Sequence, residues 1–405
     1  MAESAPPNSV FQNLKNAAAH FNEANPLIRI VFDYLPESAI KSSTIGGEAV
    51  TAISFSTDDM IELLESKNPP DIVPASPSDG RLFEAKGVLK DLYLLQKTAG
   101  SGAIDIERRL LDNVTVRGKL PLLPYAGAQQ LVIYNKEPFD RANIPYPQAD
   151  WTWEQFGDIS VKLNPALAPE LTYSIDTLEL LMASTGKGLL SPDGETTVGY
   201  LDSPEAVRTL RWLNGFYREK GQSALKNSAE SGMAVWQQFY KGQSGMYIGG
   251  IEIRYNPFLE GKKLGYAPLP HFAGGKRANP ITFSGYGIAN KSKHPEEAWK
   301  FITYITMSNN EDAIKLASSY VTTSKTLAEA AGQDSDSALS AALEEMKVAV
   351  NPADQNNRFF YKAWNENLDA QFQNLLAAKD EELPARLHDL ALKVDQEMHR
   401  LQNGN

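Results

Sequence analysis

The stretch Tyr134–Leu163, YNKEPFDRANIPYPQADWTWEQFGDISVKL, decides how the rest of the chain is read. Tyr134, Asn135 and Lys136 continue an extended apolar run, and Pro138 predicts a turn. Pro145 and Pro147 mark a loop, because proline fixes its own φ and disfavours helix at the residue before it. Thr152 then predicts a helix start. Its hydroxyl can cap the first turn, and Gln155, three residues on, can return a bond to the Thr152 backbone.

Working outward, Leu120–Ile133 predicts an extended path into this segment, entered through a hairpin-like turn at Arg117-Gly118-Lys119. Towards the N-terminus, Phe11, Leu14, Ala18 and Phe21 are spaced as one helical face, which Asn25-Pro26 ends. Ile28–Tyr34 predicts a buried strand, and Lys41–Ser56 is polar and contains glycine. A helix is predicted over Asp58–Lys67 and a strand after Pro69-Pro70. Short helices and turns follow over Leu82–Leu95.

On the C-terminal side, Tyr173–Thr185, Pro204–Lys220 and Gly232–Phe239 predict helices. The second has Ser203 at its N-cap, Pro204 at the first helical position, and Val207, Leu210, Leu213 and Tyr217 as its apolar stripe. Lys241–Tyr247 predicts a turn into a strand, and Gly261–Pro270 carries another short strand. Pro295 starts a helix with Ala298, Phe301, Ile302 and Ile305 on one face. Gln333–Ser337 is the expected flexible loop. From Pro384 onward, Leu387, Leu390, Ala391 and Val394 predict a terminal amphipathic helix. Strands alternating with helices indicate an α/β chain.

The order of Tyr134–Leu163 resembles the extracellular solute-binding proteins of ABC importers, family 1, in the branch similar to maltose-binding protein. Members read YN-K-x-x-F and then P-x-T-W-x-x-F/L where a strand crosses from one lobe to the other. Pro268-Leu269-Pro270, the bend at Gly274-Gly275, and SGYGIANKSKHPEEAWKFITYIT (Ser284–Thr306) resemble the family's return crossing. Pro69–Val73 resembles its P-D-I-V strand entry, and Lys241–Tyr247 its F-x-x-G-K-A-A-M phrase.

The resemblance implies a two-lobed periplasmic-binding-protein-like fold with a hinge between discontinuous lobes. One lobe would be 1–128 plus 286–322, the other 129–285 plus 323–405. The implied function is reversible binding of a carbohydrate, with an oligosaccharide expected, in an interlobe cleft, and its delivery to ABC permease subunits. A monomer is expected. The family usually places a strand before its first helix. Here only ten residues precede Phe11, with Pro6-Pro7 among them, so that strand is expected to be missing, shortened or replaced.

Composition sets limits of its own. The 405 residues are 42% hydrophobic and 22% charged, ordinary for a soluble chain with a sizeable core. A net charge of −11 argues against a nucleic-acid partner, which needs a local basic surplus. The chain has no cysteine, which excludes disulfides, thiolate metal sites and a cysteine nucleophile. No apolar run approaches the length of a membrane span. MAESAPPNSV has neither a basic n-region nor an apolar h-region. Because the resemblance implies export, the expectation is a removed signal peptide and an extracellular, cell-surface lipoprotein or periplasmic protein. Any peripheral membrane association would use a lipid anchor absent from this chain.

Signatures of catalysis are poor. The histidines at 20, 271, 294, 388 and 399 form no pair with metal spacing. Gly242-Gln243-Ser244-Gly245 lacks the second glycine two places after serine that a nucleophile elbow needs, and Ser284 lacks the preceding one. No P-loop or dinucleotide fingerprint occurs. The expectation is therefore no enzyme, no cofactor and no metal.

Sugars offer apolar ring faces and a rim of hydroxyls, which aromatic, amide, acidic and arginine side chains complement. Carrying the family's cleft positions over gives Tyr125, Gln129, Trp236, Glu252, Arg254, Tyr255, Ser284 and Tyr286 as candidate ligand contacts. Ile251 stands where many relatives carry a stacking tryptophan, so Glu252, Arg254 or Tyr255 are expected to supply contacts there. The competing assignment for each aromatic is core packing, and for Arg254 a pairing with Glu252. Two other functions fit the same sequence. One is an extracellular sugar-sensor lobe of a signalling system, and the other a polysaccharide-active enzyme with two facing carboxylates.

Overall fold

The computed structural model describes residues 10–32, 40–45, 48–53, 56–99, 102–163, 171–219, 235–242 and 244–404. The chain divides into two compact units. One comprises Met1–Gly127 and Phe283–Gln333, the other Ala128–Thr282 and Asp334–Asn405. The divisions expected from the sequence lie at 128/129, 285/286 and 322/323.

In the first unit a four-stranded sheet has the order Val321–Thr322, Leu123–Ala128, Thr282–Ile288, Ile72–Ala75. Ile72 pairs with Ile288 and Ala75 with Gly285 in antiparallel register. The helix Val10–Ala24 lays Ala17, Ala18 and Phe21 against Phe301, Ile305 and Leu316. Its neighbour Pro295–Thr306 buries the stripe read from the sequence, together with Trp299. The turn at Arg117-Gly118-Lys119 is a tight hairpin. Val116 bridges to Lys119, and both central residues have positive φ, 51° at Arg117 and 78° at Gly118. Ile40–Ile45 and Glu48–Ile53 form an antiparallel pair.

In the second unit the strand Leu131–Asn135 is central, antiparallel to both Met246–Gly249 and Leu264–Ala267. All five of its residues are buried, which explains its continuous apolar run. Tyr134 faces Gly265 across the ladder. A methyl at Gly265 would stand 2.1 Å from the Tyr134 ring, so glycine is required for close approach. The main core gathers Trp153, Phe156, Tyr173, Leu178, Leu210, Phe360, Phe372 and the inner face of the terminal helix Leu383–Gln402. A short parallel pair, Asn279–Pro280 with Ala349–Val350, joins distant parts of the chain.

The capping box at Thr152 forms as the spacing demands. Thr152 N donates to Gln155 Oε1 at 2.9 Å, and Gln155 N donates to Thr152 Oγ1 at 3.3 Å. Ser203 accepts from Ala206 N at 3.2 Å at the start of the helix Pro204–Glu219, and Val207, Leu210, Leu213 and Tyr217 are buried.

Three expectations change. The turn predicted at Pro138 is instead inside the helix Lys136–Ala142. Pro138 occupies its first turn, where a missing N–H costs nothing, and Asn135 caps it by accepting from Glu137 N. The strand predicted over Ile28–Tyr34 does not form over the described residues 28–32. Asn22 takes both backbone groups of Ile30, accepting from its N at 2.7 Å and donating to its O at 3.3 Å, so neither is left for a ladder. Residues 33 and 34 lie outside the described residues. The flexible loop expected at Gln333–Ser337 begins on an anchored residue. Gln333 is buried and bonds Thr322 N, Ala317 O and Tyr320 O, and Asp336 caps the helix Ser337–Met346. Of the predicted helix Gly232–Phe239, residues 232–234 lie outside the described residues and 235–240 are helical. Gln243, and the segment ahead of Val10 on which the expectation about the first strand falls, also lie outside them.

Candidate functional site

A hollow of about 410 Å³ opens on the second unit, within the range of small-molecule sites. Its floor is built by the helix Ile175–Ala183. Ser174 caps this helix by accepting from Thr177 N. Ile175, Leu178, Leu181 and Met182 turn to the core, which leaves Asp176, Glu179 and Leu180 on the opposite face. Asp176 and Glu179 are three residues apart and therefore share that face. Asp354 comes from the short turn Ala353–Asn356, and Tyr361 from the turn Phe360–Ala363. Thr172, Gln130 and Tyr247 complete its polar wall.

Gln130 is held by its backbone. Asn279, fully buried, donates to Gln130 O at 2.7 Å and accepts from Gln130 N at 3.3 Å. The same amide donates to Glu345 at 2.7 Å, and Glu345 is paired with Arg277. Thr172 and Thr177, which line the hollow, share a chain of hydroxyl contacts of 2.9–3.4 Å with Ser174.

Glu179 is only 8% exposed. It accepts from Ala353 N at 2.7 Å and from the Tyr361 hydroxyl at 2.5 Å. Burial, joined by the charges of Asp354 and Asp176, raises its carboxyl to about 7 against the downward pull of the two hydrogen bonds. Asp354 is also raised by burial and by Asp176, and its Oδ1 is buried with no hydrogen-bond partner. Asp176 sits at the rim with its outer side exposed. Protein on its inner side withdraws enough water to raise it, and the charge of Asp369 raises it further. Burial likewise raises the Tyr361 phenol, beside Glu179 and Asp176. Among the described residues no cluster of histidine and carboxylates could hold a metal ion.

None of the eight positions singled out in the sequence lines this hollow. In the first unit, Tyr125 and Tyr286 come together on neighbouring strands, with rings stacked at 4.6 Å, and Tyr320 meets Tyr125 edge-on at 5.4 Å. Ser284, two residues before Tyr286, is exposed. In the second unit Gln129 is buried, with its Nε2 unpartnered. Glu252, Arg254 and Tyr255 share the turn Ile251–Tyr255, in which Ile251 is packed inward. Arg254 does not pair with Glu252. It bonds Asp336 at 2.8 Å and the Tyr255 hydroxyl at 2.7 Å, with its guanidinium 4.8 Å from the Tyr255 ring centre. Trp236 is half-buried, edge-on to Tyr240. The sequence reading missed Asp176, Glu179, Asp354 and Tyr361. The i, i+3 carboxylates after a Ser-capped start were a visible signal, but Asp354 and Tyr361 join them only through long-range folding.

Comparison with known proteins settles the family. The model of the bacterial extracellular solute-binding protein family matches residues 4–308. The chain belongs to that family. A probable ABC transporter-binding protein from Deinococcus radiodurans is 25% identical over 239 residues, which is 54% of this chain and 54% of that protein. The chain thus matches about half the length of that relative. The fold of this solute-binding protein is shared with the sugar-binding protein MalE from Xanthomonas citri. That match has a TM-score of 0.74 at 16% identity and covers 97% and 96% of the two chains. It is also shared with an ABC substrate-binding protein from Listeria monocytogenes in complex with cycloalternan, with a TM-score of 0.66 at 20% identity and 96% of each chain covered. The two-lobed periplasmic-binding-protein-like class expected from the sequence is therefore the fold of this solute-binding protein. No helix among its described residues is long and apolar enough to cross a membrane.

Proposed function

We propose that this solute-binding protein reversibly binds a carbohydrate, in the size range of an oligosaccharide, and presents it unchanged to the permease of an ABC importer. The observation that carries this reading is the lining of the hollow. Carboxylates, threonine hydroxyls, the Gln130 amide and two tyrosines surround a space of about 410 Å³. That mixture of acceptors and rings complements hydroxyls and apolar ring faces together. The fold's sugar-binding neighbours support the same class.

The site is read as non-catalytic. Glu179 is locked between Ala353 N and Tyr361, so it is poorly placed to trade protons with a substrate. Delivery requires only that bound and empty forms differ in population. A monomer and export from the cytoplasm belong to the same reading. Tyr125, Gln129, Trp236, Glu252, Arg254, Tyr255, Ser284 and Tyr286 remain proposed contacts beside those of the hollow.

Calorimetry against neutral, amine-bearing and acidic oligosaccharides tests the reading, with each glycan recovered and analysed afterwards. Saturable binding with every glycan intact is the expected result. No binding across the panel, or turnover abolished by Glu179→Gln, would overturn it.

A further inference from the structure

Gln130 lines the hollow from one residue ahead of the central sheet, and neither neighbouring strand reaches it. Met246–Gly249 ends opposite Leu131, and Leu264–Ala267 ends opposite Val132. The backbone N–H and C=O of Gln130 therefore need partners from elsewhere. One side chain, Asn279, takes both. From this arrangement we infer that Asn279 is a positioning residue for the binding site: its amide, oriented by Glu345, fixes where Gln130 meets the solute. This inference rests on the carbohydrate reading and adds to it how one wall of the hollow is set.

The pattern of bonds requires an amide at 279. Asn279 Nδ2 carries two hydrogens, and it donates to Gln130 O and to Glu345 Oε2, each at 2.7 Å. Asn279 Oδ1 accepts from Gln130 N at 3.3 Å. Glu345 decides which way round the amide stands. A carboxylate paired with Arg277 accepts and does not donate, so Nδ2 must face it. A reversed amide would set its oxygen against the oxygens of both Glu345 and Gln130. Asn279 and Glu345 are both buried, so water cannot relieve that mismatch.

The amide is carried by an anchored stretch of chain. Asn279 and Pro280 pair with Ala349 and Val350, Asn279 N donates to Val348 O at 3.1 Å, and Ile281 N donates to Val350 O at 3.2 Å. Pro280 and Thr282 line the hollow as well. Asn279 thus ties Gln130 to this stretch, and the two form one wall. The Gln130 side chain is half-buried and bonds no described residue, which leaves its donors and acceptor for a sugar hydroxyl.

The test measures affinity by calorimetry and folding by thermal unfolding, on the whole chain. The probes are maltotriose and the trisaccharides of N-acetylglucosamine, glucosamine and galacturonic acid, and the one that binds the parent most tightly is carried forward. Gln130→Ala should weaken its binding about three- to tenfold, the scale of one hydrogen bond. Glu345→Gln keeps the side chain's shape but no longer dictates the direction of the Asn279 amide, and should weaken binding about threefold or more. In the Gln130→Ala background the same change should alter affinity by less than about twofold, because the group being positioned is gone. Asn279→Ala should behave as Glu345→Gln does, and if it does not fold, Glu345→Gln carries the test. A role in folding alone would lower the melting temperature and leave the affinity of the folded variants at the parent value, which overturns the inference. Parent-like affinity of Gln130→Ala, or an equal effect of Glu345→Gln with and without the Gln130 side chain, overturns it too. All three results spare the carbohydrate reading. If none of the four probes binds, that reading fails and this inference falls with it.

Discussion

The Tyr361 hydroxyl donates to the Glu179 carboxylate at 2.5 Å, joining a turn near the C-terminus to the helix Ile175–Ala183. A buried acid held in this way couples the stability of the second unit to pH. Its carboxyl ordinarily titrates at 4.5 and is raised in the folded chain to about 7. The folded state therefore binds the proton more tightly than the unfolded state. The contribution is fully present below the unfolded value and is lost as pH rises through the folded one. Each unit of difference corresponds to about 1.4 kcal/mol, so the loss between pH 4.5 and about 7 is of the order of 3 kcal/mol. Urea unfolding at pH 5 and pH 8 should show it, and in Glu179→Gln that part of the pH dependence should vanish. An identical pH dependence in parent and variant would contradict the assignment.

Tyr361→Phe separates the hydrogen bond from the burial. The bond lowers the Glu179 carboxyl, so its removal should move the pH transition upward. The variant should also lose about 1.5–3 kcal/mol at pH 8, the usual range for a bond to a charged group. The loss should be smaller at pH 5, where the carboxyl is protonated. A uniform loss at both pH values would mean that the phenol acts only by packing.

Elements whose cause is local were legible in the sequence. The Thr152–Gln155 capping box, the Ser203-Pro204 helix start and the stripes on Pro204–Glu219 and Leu383–Gln402 need only nearest neighbours along a helix. The run Ile28–Phe32 was misread because strand pattern does not reveal whether a ladder partner exists. Asn22 had taken Ile30 instead. Gln333 was misread because its three bonds go to Thr322, Ala317 and Tyr320, whose proximity no local pattern encodes. The hollow has the same origin. Asp176 and Glu179 share a helix face by spacing, but Asp354 and Tyr361 reach them from more than 170 residues further along the chain.

Gly265 tests the central sheet of the second unit. A methyl there would stand 2.1 Å from the Tyr134 ring, and Tyr134 is buried with Phe139 and Tyr146 packed around it. Gly265→Ala should therefore cost about 1–3 kcal/mol, the range for overpacking a core. Thermal unfolding measures the cost. Tyr134→Leu in the same chain should recover part of it, because the smaller side chain vacates the space, and a purely additive double variant would argue against the clash.

The last prediction concerns the contacts proposed from sequence position. At least two of Tyr125, Gln129, Glu252 and Tyr286 should touch the sugar directly. The stacking of Tyr125 on Tyr286 at 4.6 Å complicates truncation, since removing either ring also removes a packing partner. Aromatic pairs of this kind are worth about 0.5–1.5 kcal/mol beyond area burial, so Tyr125→Ala and Tyr286→Ala should lower folding stability as well as affinity. Tyr125→Phe retains the ring and loses only the hydroxyl. If that hydroxyl meets the ligand, affinity should fall by about 0.5–1.5 kcal/mol with unchanged thermal stability. Glu252 is exposed, so Glu252→Ala should leave the fold intact and report binding alone. Gln129 is buried with a free Nε2, so Gln129→Ala opens a cavity and needs Gln129→Glu as its companion. Calorimetry with a sugar that binds the parent, paired with thermal unfolding of each variant, separates the two effects. If three of the four positions bind like the parent while folded, the prediction of at least two direct contacts among them fails.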